Sequence, residues 1–178
     1  MKTLIALVGP SRAGKTSLIL EALKAFPEKL TAVRSLTTRP RREGDASDDI
    51  FYEFVDTSVF SYLSSAGEFV EEVVYGGNHY GVPKRSLLGD AVGILAATEH
   101  GINALRKYVA HVLVVRIWPM DNVLTDDTSR LNDDATRIKF GLRADYDIVN
   151  PFSPGGKEIA TKMLIEYITP HTSVGRSQ

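Results

Sequence analysis

The sequence predicts an α/β fold, a parallel sheet flanked by helices, and three observations carry that prediction. The chain opens on an unbroken apolar run, Leu4 to Val8, of the kind found in strands buried on both faces. Short runs of the same character recur along the chain and alternate with stretches of helical spacing. Between the first strand and the first helix lies Gly9-Pro10-Ser11-Arg12-Ala13-Gly14-Lys15-Thr16, which matches G-x-x-x-x-G-K-[ST] in the strand, loop, helix setting that the pattern requires.

The elements follow in order. Met1 to Val8 reads as a strand, Gly9 to Thr16 as a loop of small residues, and Ser17 to Leu23 as a helix. Further strands are expected over Leu30 to Leu36, Ile50 to Val55, Phe69 to Tyr75, Val92 to Thr98, Val112 to Trp118 and the short Asp147 to Val149. Asp56-Thr57 supplies a cap for a helix through Leu63, and Glu99 to Tyr108 and Asp134 to Ala144 are amphipathic at helical spacing. Pro154-Gly155-Gly156 precedes a last helix near Lys157 to Ile168, and the tail from Pro170 to Gln178 is polar. Shorter strands between about residues 34 and 83 read as an insertion into a core made of 1–33 and 84–170, all within one domain, 1–178.

Composition narrows the function. A chain of 178 residues buries roughly 70% of its unfolded surface, enough for a core without staples. Its 43% hydrophobic and 24% charged residues exclude a disordered chain. The absence of cysteine removes thiol catalysis, Cys-ligated zinc, iron–sulfur clusters and disulfides together. His79, His100, His111 and His171 show no metal-ligand spacing. A net charge of −1 lacks the excess of cations that nucleic-acid binding needs. Leu4 to Val8, the longest apolar run, falls far short of the roughly 20 residues that span a bilayer. The expectation is a cytoplasmic protein with small-molecule partners, no nucleic acid, no membrane, and a monomeric or homodimeric state.

In the loop, glycines let backbone N–H groups turn inward on phosphates, and the positive end of the following helix favours the same charge. The phosphates of a nucleotide, ATP if the loop belongs to a kinase, are thus expected on Ser11, Arg12, Ala13, Gly14, Lys15, Thr16 and Ser17, with Lys15 on the β- and γ-phosphates and Thr16 on magnesium. The Asn-Lys-x-Asp guanine reader of small GTPases is missing, which turns attention to an acceptor of the phosphate.

Ser35-Leu36-Thr37-Thr38-Arg39-Pro40-Arg41-Arg42-Glu43-Gly44-Asp45 places Arg39 and Arg42 three apart, each fork able to grip a phosphate. Phe51-Tyr52-Glu53-Phe54-Val55, Gly67-Glu68-Phe69-Val70-Glu71 and Gly77-Asn78-His79-Tyr80-Gly81 follow. In this order and spacing the chain resembles guanylate kinases over about residues 3 to 168, including Tyr146-Asp147-Ile148-Val149-Asn150, which is similar to the family's late strand. The resemblance implies a P-loop NTPase-type sheet with an acceptor-binding insertion and a short lid near 120–137. It also implies ATP- and Mg2+-dependent phosphorylation of a nucleoside monophosphate, GMP or dGMP. Arg39, Arg42, Tyr52 and Tyr80 would then hold the acceptor phosphate, and Ser35 and Glu71 would face the purine, whose N1–H and N2–H₂ one carboxylate can accept together. Glu72 beside it points to the other face of a strand, so only one of the two is expected in the pocket. Lys15, Arg39 and the lid arginines Arg130 and Arg137 would neutralise charge during transfer.

Departures from the pattern are equally specific. Val82 stands where the family has Ser or Thr, and Ala96 and Thr98 stand where it has Asp-x-Asp. Magnesium would then rest on Thr16 and the ATP phosphates, with Glu99 past the strand end. Val82 and Thr98 remain expected walls of the acceptor pocket, and Trp118 reads as core. Three other readings stand beside the first: a sugar-phosphate kinase of the ribose 1,5-bisphosphate type, a kinase for a modified deoxynucleotide, and a non-catalytic binding module. Ser35, Tyr52 and Glu71 argue against the sugar, and Lys15, Thr16 and the lid arginines against the module.

Overall fold

A computed structural model describes residues 3–119, 142–151, 153 and 155–172. Along the chain run β1 (Thr3–Val8), α1 (Lys15–Ala25), β2 (Leu30–Ala32), β3 (Ser35–Thr37), α2 (Asp48–Phe51), β4 (Tyr52–Phe54), α3 (Thr57–Ser65), β5 (Phe69–Tyr75), β6 (Asn78–Pro83), β7 (Val92–Ala96), α4 (Glu99–Tyr108), β8 (His111–Pro119), β9 (Tyr146–Asn150) and α5 (Gly156–Thr172). Among the described residues one sheet has the order β2-β7-β1-β8-β9 with every neighbouring pair parallel, as the apolar runs predict.

Burial on both faces explains the unbroken first run. Alternate β1 residues point to opposite sides, and Leu4, Ile5, Ala6 and Leu7 are all fully buried. Ile5 and Leu7 meet Leu18, Ile19 and Ala22 of α1 and Ala160, Leu164 and Ile168 of α5. Leu4, Ala6 and Val8 meet Leu95, Val114, and Ile102 and Leu105 of α4. Each such Leu or Ile contributes about 1.5–3 kcal/mol by leaving water, which fixes β1 at the centre and the loop after it at the sheet's carboxyl edge.

The insertion forms a second sheet, β4-β3-β6-β5, in which β3 and β4 are parallel and the other pairs antiparallel. Phe60 of α3 stacks on Phe69 at 4.6 Å between ring centroids. Gly81 lets those rings close over β6, since a Cβ there would stand 2.6 Å from Phe69.

Several elements differ from the sequence reading. The strand expected over Leu30 to Leu36 is two strands in two sheets. The Val33 amide donates to the Ile94 carbonyl (2.9 Å) and its side chain is buried in the core, after which the chain leaves for the second sheet. Ile50 and Phe51 close the short helix α2, so only Tyr52–Phe54 is strand; polar contacts of Asp45 and Asp48 set that turn. β6 was unforeseen because its residues lack an apolar run. It is built by the Gly76-Gly77 hairpin, whose φ values of 56° and 76° are the paired left-handed conformation of a two-residue turn. The last helix continues through Pro170 to Thr172, whose buried side chain donates to the Thr169 carbonyl at 3.0 Å. The helix expected over Asp134 to Ala144 lies outside the described residues except for 142–144, which are not helical.

Candidate active site

Two neighbouring strands dictate the loop's glycines. At Gly9 (φ 146°) a Cβ would stand 2.4 Å from the Ile117 carbonyl oxygen, and at Gly14 (φ 88°) it would stand 2.3 Å from Asn150 Nδ2. Asn150 is buried and its Nδ2 donates to the Ala13 carbonyl at 2.9 Å, so β9 braces the loop from below. Asn150 Oδ1 is buried and has no hydrogen-bond partner among the described residues. The Ala13 amide donates to the Pro10 carbonyl (3.2 Å), and Arg12 turns the tip at φ 62°. Lys15 folds back, its Nζ donating to the carbonyls of Gly9 and Pro10 at 2.7 Å each. Ser11 and Lys15 line the cleft above; Ala13 is buried beneath, while Arg12, Thr16 and Ser17 are exposed at the tip and the head of α1.

That cleft, about 1170 Å³, runs from the loop to the second sheet, and Ser35, Arg42, Tyr52, Glu71, Tyr80, Val82 and Thr98 line it. Seven of the eight residues expected around the acceptor therefore share one wall system with Lys15. Arg39, the eighth, does not line it. Arg39 forms a bidentate pair with Asp48 (Nη1–Oδ2 3.1 Å, Nη2–Oδ1 2.8 Å), 5.2 Å from the centre of the Tyr52 ring, beside a shallower hollow edged by Phe54 and Val59. Asp48 also accepts from the Arg42 amide at 3.0 Å. Burial opposes ionisation of Asp48, yet the Arg39 and Arg42 hydrogen bonds prevail and hold its carboxyl below the ordinary range. Tyr52 and Tyr80 meet edge to face at 6.1 Å. Burial, with Tyr80 adding to it, pushes the Tyr52 hydroxyl up, so it remains an O–H donor at neutral pH.

Glu71 is a buried acid held from the side of α4. It is 9% exposed, accepts from Thr98 Oγ1 at 2.7 Å, and lies against the first turn of α4, whose dipole favours a negative group. Thr98 in turn caps α4 by accepting from the Gly101 amide at 3.0 Å. Burial raises the Glu71 pKa, with the Thr98 hydrogen bond and His100 pulling the other way. A Cβ on Gly101 would stand 2.1 Å from Glu71 Oε2, so this glycine is what admits the carboxylate. Glu72 also reaches the cleft, but only at its exposed edge; the pairing from Glu71 to Tyr75 is regular, and Glu71 is the buried one of the two.

Ala96 lines the cleft with no polar atom, and Glu99 lines it from the head of α4. Among the described residues no three His, Asp or Glu side chains gather to hold a metal ion. Arg130 and Arg137 lie outside the described residues. Trp118 is not core: it is half-buried at the cleft, and its Nε1 donates to Asp147 Oδ1 at 2.9 Å. It lies near the end of β8, beyond the helices that cover the sheet's centre. Sequence reasoning missed Asp48, Gly101, Arg116 and Arg143; the last two line the cleft. An acid following an arginine-rich loop and a glycine at the third position of a helix were the only available signals for the first two. No helix among the described residues is long and apolar enough to cross a membrane.

Comparison with known proteins agrees with this geometry. The family model described as guanylate kinase matches residues 1–140. The chain is 42% identical over 120 residues to a guanylate kinase of Nostoc sp., covering 65% of this chain and 59% of that one. It is 27% identical over 192 residues to one of Gloeobacter violaceus, covering 98% and 93%. Relatives matched at 36–42% identity are spanned over only 45–59% of their own length. A crystal structure of guanylate kinase from Anaplasma phagocytophilum superposes with a TM-score of 0.73 at 24% identity, over 97% of this chain and 87% of that one, and shows the same fold.

Proposed function

The chain belongs to the guanylate kinase family, and from that premise we propose that it moves the γ-phosphoryl group of ATP onto the phosphate of a purine nucleoside monophosphate, GMP or dGMP, giving the diphosphate. One observation carries the reading: Lys15 of the phosphate loop and the buried carboxylate of Glu71 are walls of the same cleft. The donor would lie over the loop amides, with Lys15 leaving the Gly9 and Pro10 carbonyls for the β- and γ-phosphates. Arg42 and the Tyr52 and Tyr80 hydroxyls would hold the acceptor phosphate. Ser35 and Glu71, the latter oriented by Thr98, would take the guanine edge. The insertion, 34–83, is then the acceptor-binding part and the rest the core.

An oxygen of the acceptor phosphate attacks the γ-phosphorus in line as the bond to the bridging oxygen breaks and ADP leaves. The acceptor is already anionic, so no general base is needed, and positioning with charge neutralisation does the work. Arg39 stands paired with Asp48; in this reading it orders the arginine loop and Tyr52, and Arg130 and Arg137 supply the lid cations. Magnesium suits a site of this donor set when it arrives on the ATP phosphates: it keeps several waters, and the Thr16 hydroxyl would be its protein oxygen. When bound it neutralises phosphate charge.

Val82, 5% exposed, and Ala96 favour a second reading. Two apolar walls beside Glu71 suit a modified deoxynucleotide base or a sugar phosphate that needs fewer polar contacts. Lys15→Ala tests the phosphate loop, and Glu71→Ala tests which acceptor the pocket reads. The first abolishes transfer to every acceptor; the second lowers kcat/KM for GMP far more than for AMP or UMP. Equal loss for all acceptors in the second variant overturns the base-reading role.

A further inference from the structure

We propose that Arg116 of β8 is a further cation of the site, meeting the terminal phosphoryl group of the donor nucleotide from the sheet wall; the proposal rests on the kinase reading above. The register places Arg116 opposite Val8, the last residue of β1 before Gly9. In a parallel sheet such neighbours point to the same side, and Val8 faces the α4 side together with Val114. Arg116 therefore leaves the sheet beside the loop, on the side where it lines the cleft. Lys15 reaches the same short stretch through the Gly9 and Pro10 carbonyls. The register thus roots Arg116 beside the start of the phosphate loop, and both it and Lys15 line the cleft.

The guanidinium is positioned but not used up. Its side chain is 15% exposed, it donates from Nη2 to the Leu142 carbonyl, and it stands 5.4 Å from the centre of the Trp118 ring. Asp147, opposite it on β9, forms a long ion pair with it, Oδ1 lying 3.7 Å from Nε and beyond hydrogen-bond distance, with its side chain 55% exposed. Nε–H is buried and makes no hydrogen bond among the described residues. A largely desolvated guanidinium has five donors, and one hydrogen bond with one long, exposed ion pair answers few of them. Cleft-lining carboxylates among the described residues, Glu71, Glu72 and Glu99, come from β5 and the head of α4, and the adjacent end of β7 contributes Ala96 instead of an acid. An anionic phosphoryl group, able to accept two parallel N–H bonds, is the ligand whose chemistry completes the site.

The sole tryptophan, Trp118, reports on the proposal, since its ring stands beside the guanidinium. Titrating ATP and ADP with magnesium while following its fluorescence, with calorimetry as a second reading, is done on the wild type, Arg116→Gln and Arg116→Lys. In Arg116→Gln, ATP affinity falls about tenfold or more, roughly 1.4 kcal/mol, while ADP affinity changes less than twofold; Arg116→Lys, keeping charge without the fork, is intermediate. Equal weakening of both nucleotides, or no change in either, overturns the proposal and leaves Arg116 a tie between strand and Leu142. If Arg116→Gln unfolds, an unchanged ATP-to-ADP ratio in Arg116→Lys is the refuting result. A wild type that binds neither nucleotide refutes the kinase reading itself, and this inference with it.

Discussion

Replacing Gly101 by alanine tests the acceptor site without touching a residue that contacts substrate. The new Cβ would stand 2.1 Å from Glu71 Oε2 and 2.2 Å from Oε1 and Cδ, where ordinary contact begins at 3.4 Å. The carboxylate must retreat by about 1 Å or more and lose its 2.7 Å bond from Thr98. It is the free end of a flexible side chain, so the backbone can stay. Alanine in a helix recovers about 1 kcal/mol over glycine, against about 1.5–3 kcal/mol for a lost hydrogen bond to a charged group. Stability should thus fall by no more than about 2 kcal/mol. A 1 Å misplacement of a positioning group can cost about 10²-fold in rate, so kcat/KM for GMP should fall about a hundredfold while the KM for ATP moves less than twofold. Coupled ADP release measures both kinetic constants, and thermal unfolding measures the stability. A kcat/KM for GMP within threefold of wild type, in a variant that melts normally, would refute the argument that Glu71 reads the acceptor from this position.

Two further outcomes follow from the charges. Asp48→Asn leaves Arg39, 11% exposed, without its carboxylate and should cost about 3–5 kcal/mol in urea unfolding; a loss below 1 kcal/mol contradicts the pair's structural role. Because the folded Asp48 pKa lies below its ordinary 3.8, its stabilisation is full above that pH and lost as pH falls through the folded value, so acid titration of stability should be shallower in the variant. Glu71 has the opposite sign. Its folded pKa lies above the ordinary 4.5, so the contribution favouring the fold is present below that pH and lost as pH rises through the folded value. Glu71→Gln should therefore raise the melting temperature at pH 7 while reducing the preference for GMP over AMP, and a lower melting temperature would contradict the cost of burying that charge.

The parallel sheet and the phosphate loop were legible because their signals are local. An apolar run buried on both faces and eight residues of fixed spacing declare themselves without tertiary information. Glu71 was legible for a related reason, an acid interrupting an apolar strand. Asp48, Gly101 and Arg116 were not, because each acquires its role from a distant partner: Arg39 nine residues earlier, Glu71 on another strand, and the loop after β1. The split of Leu30 to Leu36 was hidden for the same reason. The residues suit one continuous strand, and only the Val33 bond to Ile94 and the pairing of Ser35–Thr37 with β4 and β6 divide them. Arg39 illustrates the converse: the motif names it for the acceptor, while the buried Asp48 holds it outside the cleft wall.

The central claim is that this cleft joins an ATP loop to a purine monophosphate pocket. Its most direct test is ADP release with MgATP across GMP, dGMP, AMP, dAMP, UMP, dUMP, dTMP, CMP, dCMP and ribose 1,5-bisphosphate. The account predicts that GMP or dGMP exceeds every other acceptor in kcat/KM by at least an order of magnitude, Ser35 and Glu71 sufficing beside Val82 and Thr98. Turnover of the sugar phosphate alone, or of no acceptor, would contradict it.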